Sequence, residues 1–104
     1  MITTKLSFLF FVGTLCAGPL LAADVEAGKA KSEELCADCH GDEGYGDDAF
    51  PSIAGMPVEE FTKAMQEYKE GTRDNARMIK IAKKLSDAEV ADLAAYFAQF
   101  TPAE

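Results

Sequence analysis

Histidine is almost missing from this chain: there is one, His40, in 104 residues. A single imidazole leaves no room for a Ser-His-Asp arrangement together with a second histidine role, and no other residue cluster offers a plausible catalytic base. Cysteine is also scarce, at three. A structural zinc site needs four ligands, usually Cys and His; a mature chain that has lost Cys16 with an apolar leader keeps two Cys and one His, and cannot close one without recruiting carboxylates. Basic residues are few as well, with ten Lys and Arg against 18 Asp and Glu. Nucleic acid is thereby excluded as a partner, since it demands a positive footprint. No stretch alternates long enough for a β-strand, and there is no internal repeat or low-complexity segment.

Charge is absent from one further place. Lys5 is the only charged residue before Asp24, and Leu6 to Leu21 is almost wholly apolar until Pro19 breaks it. Ala22-Ala23 then offers small residues for cleavage. This is the pattern of a secretory signal peptide over residues 1–23, followed by one domain over 24–104. The apolar run falls short of the ~20 residues that cross a bilayer comfortably, so no membrane span is expected after cleavage. Export points to the periplasm. Cys16 leaves with the leader, and so does Lys5. The mature chain keeps two cysteines and nine basic residues against 18 acidic, a net charge of −9. That balance favours solubility and allows steering towards a basic partner face.

The two remaining cysteines stand in Cys36-Ala37-Asp38-Cys39-His40. Two cysteines two residues apart with histidine next is the attachment signature of a c-type haem. One helical turn holds the sulfurs at the spacing of the two porphyrin vinyl groups, so each thiol can add to a vinyl as a thioether. The tethered ring then lies beside His40, whose imidazole reaches the iron. A thioredoxin-type thiol pair needs a βαβ setting that this helical pattern lacks. A disulfide across so short a loop would add little stability. A covalent haem is a better staple for a domain near the lower size limit for a hydrophobic core.

The second axial ligand has to come from elsewhere, and bis-histidine ligation within the chain is excluded. Methionine is the natural candidate, because its soft thioether raises the potential. Met65 shares a helical face with Phe61 and Tyr68 and reads as core. Met56 precedes Pro57 in a loop. Met78 lies far enough along the chain to fold over the opposite face of the ring, and is preferred. A site left open or water-bound would instead allow gas sensing or peroxidatic chemistry. A small exported thiol protein without haem is the third alternative.

Four helices are expected around the ring. Asp24 can cap a first helix through Val25, Ala27, Ala30 and Leu35 into the motif. Gly41 to Gly55 is loop chemistry. Its acidic residues Asp42, Glu43, Asp47 and Asp48 lack the spacing of a calcium loop and read as solvated. Pro57 suits the first position of a second helix with Phe61, Ala64 or Met65, and Tyr68 on its apolar face, stopped by Gly71. A short third helix fits Asn75 to Lys84. Ser86 and Glu89 form a capping box before a last helix that carries Val90, Leu93, Ala94 and Phe97 and ends at Thr101-Pro102.

These residues together resemble the class I c-type cytochromes: Cys36-x-x-Cys39-His40-Gly41, then Pro51-x-Ile53-x-Gly55, then Met78, then a C-terminal helix rich in aromatics. The strings Pro51 to Met56, Met65 to Gly71 and Met78 to Lys83 look most like the cytochrome subunit of flavocytochrome c sulfide dehydrogenase and its small diffusible relatives. The resemblance implies an all-α class I cytochrome c fold over residues 24–100 with one covalent haem c. It implies thioethers at Cys36 and Cys39 and axial ligands at His40 and Met78. The Pro51 carbonyl would hold the Nδ1 hydrogen of His40, and Gly28 would let the first helix approach the last near Phe97. A one-electron carrier rather than an enzyme is the implied activity. Its partners would be redox proteins, among them a sulfide-oxidising flavoprotein subunit.

Overall fold

The computed structural model describes residues 22–103. The apolar leader expected at residues 1–23 lies almost wholly outside the described residues. Five helices follow in order: α1 Val25–Leu35, α2 Ala37–His40, α3 Val58–Glu70, α4 Ala76–Ala82 and α5 Asp87–Ala98. The described residues contain no strand, and no helix among them is long and apolar enough to cross a membrane. The expected all-α architecture is present. The fifth helix arises because the first expected helix breaks at Cys36 (φ −112°, ψ −37°), whose N–H closes α1 on Ser32 O at 2.8 Å. The haem-type motif then forms its own single turn, α2, closed by His40 N–H to Cys36 O at 2.9 Å.

Helices α1, α3 and α5 form the frame. Asp24 caps α1, its carboxylate accepting from the Ala27 N–H at 3.1 Å while its own N–H donates to Asp92 Oδ1 of α5 at 2.8 Å. The buried face of α1 is narrow, made of Gly28 and Ser32 one turn apart. That narrowness lets the backbones of α1 and α5 touch: a Cβ at Gly28 would stand 2.7 Å from the Asp92 carbonyl carbon and 2.9 Å from the Tyr96 Cβ. The close approach expected at Gly28 is therefore made on Asp92 and Tyr96, the latter next in sequence to Phe97. Phe97 points instead at Gly44, where a Cβ would meet its ring at 2.7 Å. Gly44 also has φ +84°, which a side chain would strain.

The capping box at the start of α5 forms as expected, with Glu89 N–H to Ser86 Oγ at 3.1 Å and Ser86 N–H to Glu89 Oε1 at 3.0 Å. Helix α5 buries Val90, Leu93, Ala94, Tyr96 and Phe97, and α3 adds Phe61 and Met65. Phe97 and Leu93 are wholly buried. Phe61, Phe97, Tyr96 and Phe100 pack in succession, with ring centroids 5.1 to 5.8 Å apart. Pro57 is the N-cap of α3 rather than its first helical residue, because its ψ of 143° is extended. Helix α4 is capped by the Asn75 side chain and stops at Ala82, two residues short of the expected Lys84.

Loop 41–56 carries no regular element, yet it is ordered by its backbone. The Gly44 carbonyl accepts the N–H groups of Ile53 and Ala54 at 2.7 and 3.0 Å. Asp47 Oδ1 accepts from Ala49 and Phe50 at 2.8 and 3.0 Å, an Asx turn that gives one of the acidic loop residues a structural task. Tyr96 donates its hydroxyl to the Asp42 carbonyl at 2.8 Å, and Gly55 N–H bonds Phe97 O at 2.8 Å. Both bonds fasten the loop to α5.

Candidate haem site

Two arms extend from this frame. Helix α2 packs on α1, α4 packs on α3, and both α1 and α3 pack on α5. His40 is on the first arm and Met78 on the second. Between them lies a largely apolar cavity of about 730 Å³, inside the ~300–1,000 Å³ range of small-molecule and cofactor sites. Cys36, Cys39, His40, Pro51 and Met78 all line it. The five expected site residues, which span 43 positions of sequence, are thus brought to one wall-to-wall space.

His40 is 7 % exposed, and its Nδ1 lies 2.8 Å from the Pro51 carbonyl oxygen. A carbonyl can only accept, so Nδ1 carries the hydrogen and donates. In the neutral ring the lone pair is then on Nε2, leaving that nitrogen as the one able to bind a metal. The ring is further seated edge-on against Phe50, with centroids 6.3 Å apart. Gly46 N–H holds the His40 backbone carbonyl at 2.6 Å, so the loop fixes this residue at both ends.

Both cysteines are free, Cys36 buried and Cys39 partly so. Burial pushes the Cys36 thiol up to about 11. The Ser32 hydroxyl, itself buried and without a hydrogen-bond partner of ordinary geometry, lies close enough to the Cys36 sulfur to offset part of that rise. Redox-active thiols need the opposite shift, towards thiolate at neutral pH. Cys36 is consequently ill suited to thiol exchange, while its place on the cavity wall beside Cys39 suits an anchor.

The methionines divide less cleanly than their sequence positions imply. Met56, Met65 and Met78 all line the cavity. Met65 is 5 % exposed and locked among core side chains, as expected. Met56 is half-buried beside Ile53 on the loop that also supplies Pro51. Met78 is half-buried in the first turn of α4, its N–H held by the Asn75 side chain at 3.0 Å. Only Met78 belongs to the arm that does not pack on α1 or α2. Two further residues of the wall, Tyr68 and Arg73, were not singled out as site residues by the sequence. Arg73 lies over the Tyr68 ring, 5.4 Å from its centroid, and pairs with Glu67 at 3.3 Å. A spacing of five residues across a helix end gives no periodic signal for that contact.

A large apolar space bordered by two free thiols and a histidine with its second nitrogen already spoken for fits a covalently tethered haem. Among the described residues no group of three or more His, Cys, Asp and Glu could hold a bare metal ion. The family model for cytochrome c matches residues 25–101. The chain belongs to the cytochrome c family. The group its cavity accommodates is haem c, one per chain, since the sequence contains one attachment motif.

This cytochrome is 40 % identical over 76 residues to cytochrome c4 of Thiocapsa roseopersicina, covering 72 % of this chain and 39 % of that protein. It is 36 % identical over 62 residues to the cytochrome subunit of sulfide dehydrogenase of Chlorobaculum tepidum, covering 60 % of this chain and 56 % of that one. Among solved structures, cytochrome c4 of Acidithiobacillus ferrooxidans superposes with a TM-score of 0.70 at 32 % identity, over 75 % of this chain and 50 % of that chain. The cytochrome spans about two-fifths of the length of the first of these relatives.

Proposed function

We propose that this cytochrome carries one electron at a time between redox proteins. When bound, the haem iron supplies the one-electron couple. Cys36 and Cys39 hold the ring as thioethers from the turn of α2. His40 would hold the iron through Nε2, with the Pro51 carbonyl setting its tautomer and orientation. Met78 would hold the iron from the other arm. With His40 and Met78 both holding the iron, no coordination site would be left for a substrate, which suits a carrier rather than an enzyme. The observation that supports this most is the shared cavity, which joins His40 and Met78 although their helices pack on different members of the frame.

The leader at residues 1–23 directs the chain to the periplasm, where the domain over 24–104 acts without a membrane span of its own. A sulfide-oxidising flavoprotein subunit is the proposed electron donor, supported by the likeness to a sulfide dehydrogenase subunit over 60 % of the chain. Visible spectroscopy of the holoprotein tests the carrier mechanism. A low-spin ferric spectrum with the weak far-red sulfur-to-iron band is expected. A high-spin spectrum, or rapid carbon monoxide binding to the reduced form, would replace it with a five-coordinate haem protein. Purification from the native cell tests the partner: an equimolar flavoprotein complex supports the subunit, and elution alone supports a diffusible carrier.

A further inference from the structure

His40 is held at two points, and both trace to one short turn. The Gly46 N–H donates to its backbone carbonyl at 2.6 Å, and the Pro51 carbonyl accepts from its Nδ1 at 2.8 Å. Gly46 and Pro51 stand close in sequence, so the chain between them has to double back to bring both groups to one residue. Asp47 makes it do so. Its N–H donates to the Phe50 carbonyl at 2.9 Å. Its Oδ1 accepts from the N–H groups of Ala49 and Phe50 at 2.8 and 3.0 Å. A side-chain oxygen here does the work of a backbone acceptor and closes residues 47–50 into a turn.

The closed turn lays the Pro51 peptide against Gly46. A Cβ at Gly46 would stand 2.8 Å from both the Pro51 carbonyl carbon and its oxygen, and would meet the Phe50 carbonyl oxygen as well. All three are backbone atoms, so a side chain could enter only by moving the chain. The Pro51 oxygen it would displace is the acceptor of the His40 bond. Asp47 is itself exposed and makes no ion pair among the described residues. Its hydrogen bonds are spent inside the turn.

We infer that Gly46 and Asp47 are positioning residues for His40: they fold the turn that aims the Pro51 carbonyl at Nδ1, and through that bond they tune the potential of the iron. This role rests on His40 being an iron ligand, as proposed above. Its sign follows from the direction of the bond. An Nδ1–H that donates to a carbonyl leaves more electron density on the ring and makes Nε2 the stronger donor. A stronger donor favours ferric iron, so the bond lowers the midpoint potential. Loosening the turn weakens the bond and raises the potential.

Two matched pairs of holoprotein variants test this. Asp47→Ala removes the side-chain acceptor, whereas Asp47→Asn keeps an oxygen in its place. Both lose the same negative charge, so a purely electrostatic rise in potential is common to the pair. Gly46→Ala is matched with Gly71→Ala. Both glycines have positive φ, +68° and +78°, and share the strain of an added side chain, but a Cβ at Gly71 meets nothing within 4 Å. Each variant is read by potentiometry and by proton NMR of the reduced protein, which follows solvent exchange of the His40 Nδ1 hydrogen.

Asp47→Ala should have a higher potential than Asp47→Asn, and Gly46→Ala a higher potential than Gly71→Ala. In Asp47→Ala and Gly46→Ala the Nδ1 hydrogen should exchange about five- to tenfold faster than in wild type, the worth of one net hydrogen bond. In Asp47→Asn and Gly71→Ala it should exchange as in wild type. Equal potentials and equal exchange within the Asp47 pair would overturn the positioning role while leaving the carrier intact. If Gly46→Ala assembles no holoprotein, the Asp47 pair decides alone. His40 ring protons that lack the upfield shift imposed by a haem bound at Nε2 would instead sink the ligand reading, because that shift in wild type needs ligation and not the turn.

Discussion

At the scale of single residues the proposed site rests on Met78 more than on any other side chain. Cys36, Cys39 and His40 are tied to each other by a single helical turn, and Pro51 reaches His40 through a backbone bond that substitution of its side chain would not remove. Met78 has no such redundancy, yet Met56 and Met65 stand in the same wall. Met78→Ala should abolish the far-red band, lower the midpoint potential and open the reduced haem to carbon monoxide, read by spectroscopy and potentiometry. Met56→Ala should keep the band. Survival of the band in Met78→Ala and its loss in Met56→Ala would move the ligand to the loop. The attachment motif was legible in the sequence because its chemistry fixes both residue type and spacing. The sequence ranks the methionines only by chain distance, and one cavity gathers a loop residue, a core residue and a helix-start residue alike. Tyr68 over Arg73 and the Tyr96 bond to the Asp42 carbonyl had no sequence signal at all. Each joins positions whose separation has no fixed period.

Among the elements, the pairing of α1 with α5 carries the frame, and small residues decide it. Caps were legible at Asp24 and Ser86, because a capping side chain acts within three residues of itself, whereas Asn75, read as the first residue of the third helix, caps α4 instead. The register of α1 on α5 was not legible, because Gly28 and Ser32 give an interface face without apolar bulk. Gly28→Ala would gain up to ~1 kcal/mol of helix propensity in isolation. Here the added methyl meets the Asp92 carbonyl and the Tyr96 Cβ, and backbone atoms cannot step aside. A net loss of about 1–3 kcal/mol is expected, measured by urea unfolding of the holoprotein. The same interface has an electrostatic clasp. Lys31 of α1 bonds Glu89 of α5 at 2.8 Å. That ammonium, followed by the N–H and hydroxyl of Ser86, holds the Glu89 carboxyl down to about 2 from an ordinary 4.5. A folded value below the unfolded one contributes stability in full above about pH 4.5, and that contribution is lost as pH falls towards 2. Glu89→Gln should therefore be less stable than wild type at pH 7. The gap between their urea midpoints should narrow between pH 4.5 and 2 and close below it. A constant gap across that range would assign the loss to packing rather than to charge.

Taken whole, the molecule is built around a space it cannot fill by itself. A domain over residues 24–104 is near the size at which a hydrophobic core alone becomes marginal. This one leaves about 730 Å³ between its two arms. Side chains with a full complement of neighbours on one side only lose dispersion contacts outright, and the apolar walls would face water. Phe61, Met65, Ile81 and Met78 all face that space as well as the core beside it. The α4 arm packs on the frame through α3, and α3 in turn on α5. Among the described residues the main helix packing does not join α4 directly to α2. The chain made without haem attachment, as Cys36→Ala/Cys39→Ala, should therefore lose cooperative unfolding and much of its helical circular dichroism, with α4 and loop 41–56 exchanging their amide hydrogens first. Helices α1 and α5 should retain the longest protection, because their contact through Gly28, Asp92 and Tyr96 is complete without the ring. A bare chain as helical and cooperative as the holoprotein would show that the frame closes on its own. The haem would then be cargo in a finished fold, and the two thioethers would serve retention rather than folding.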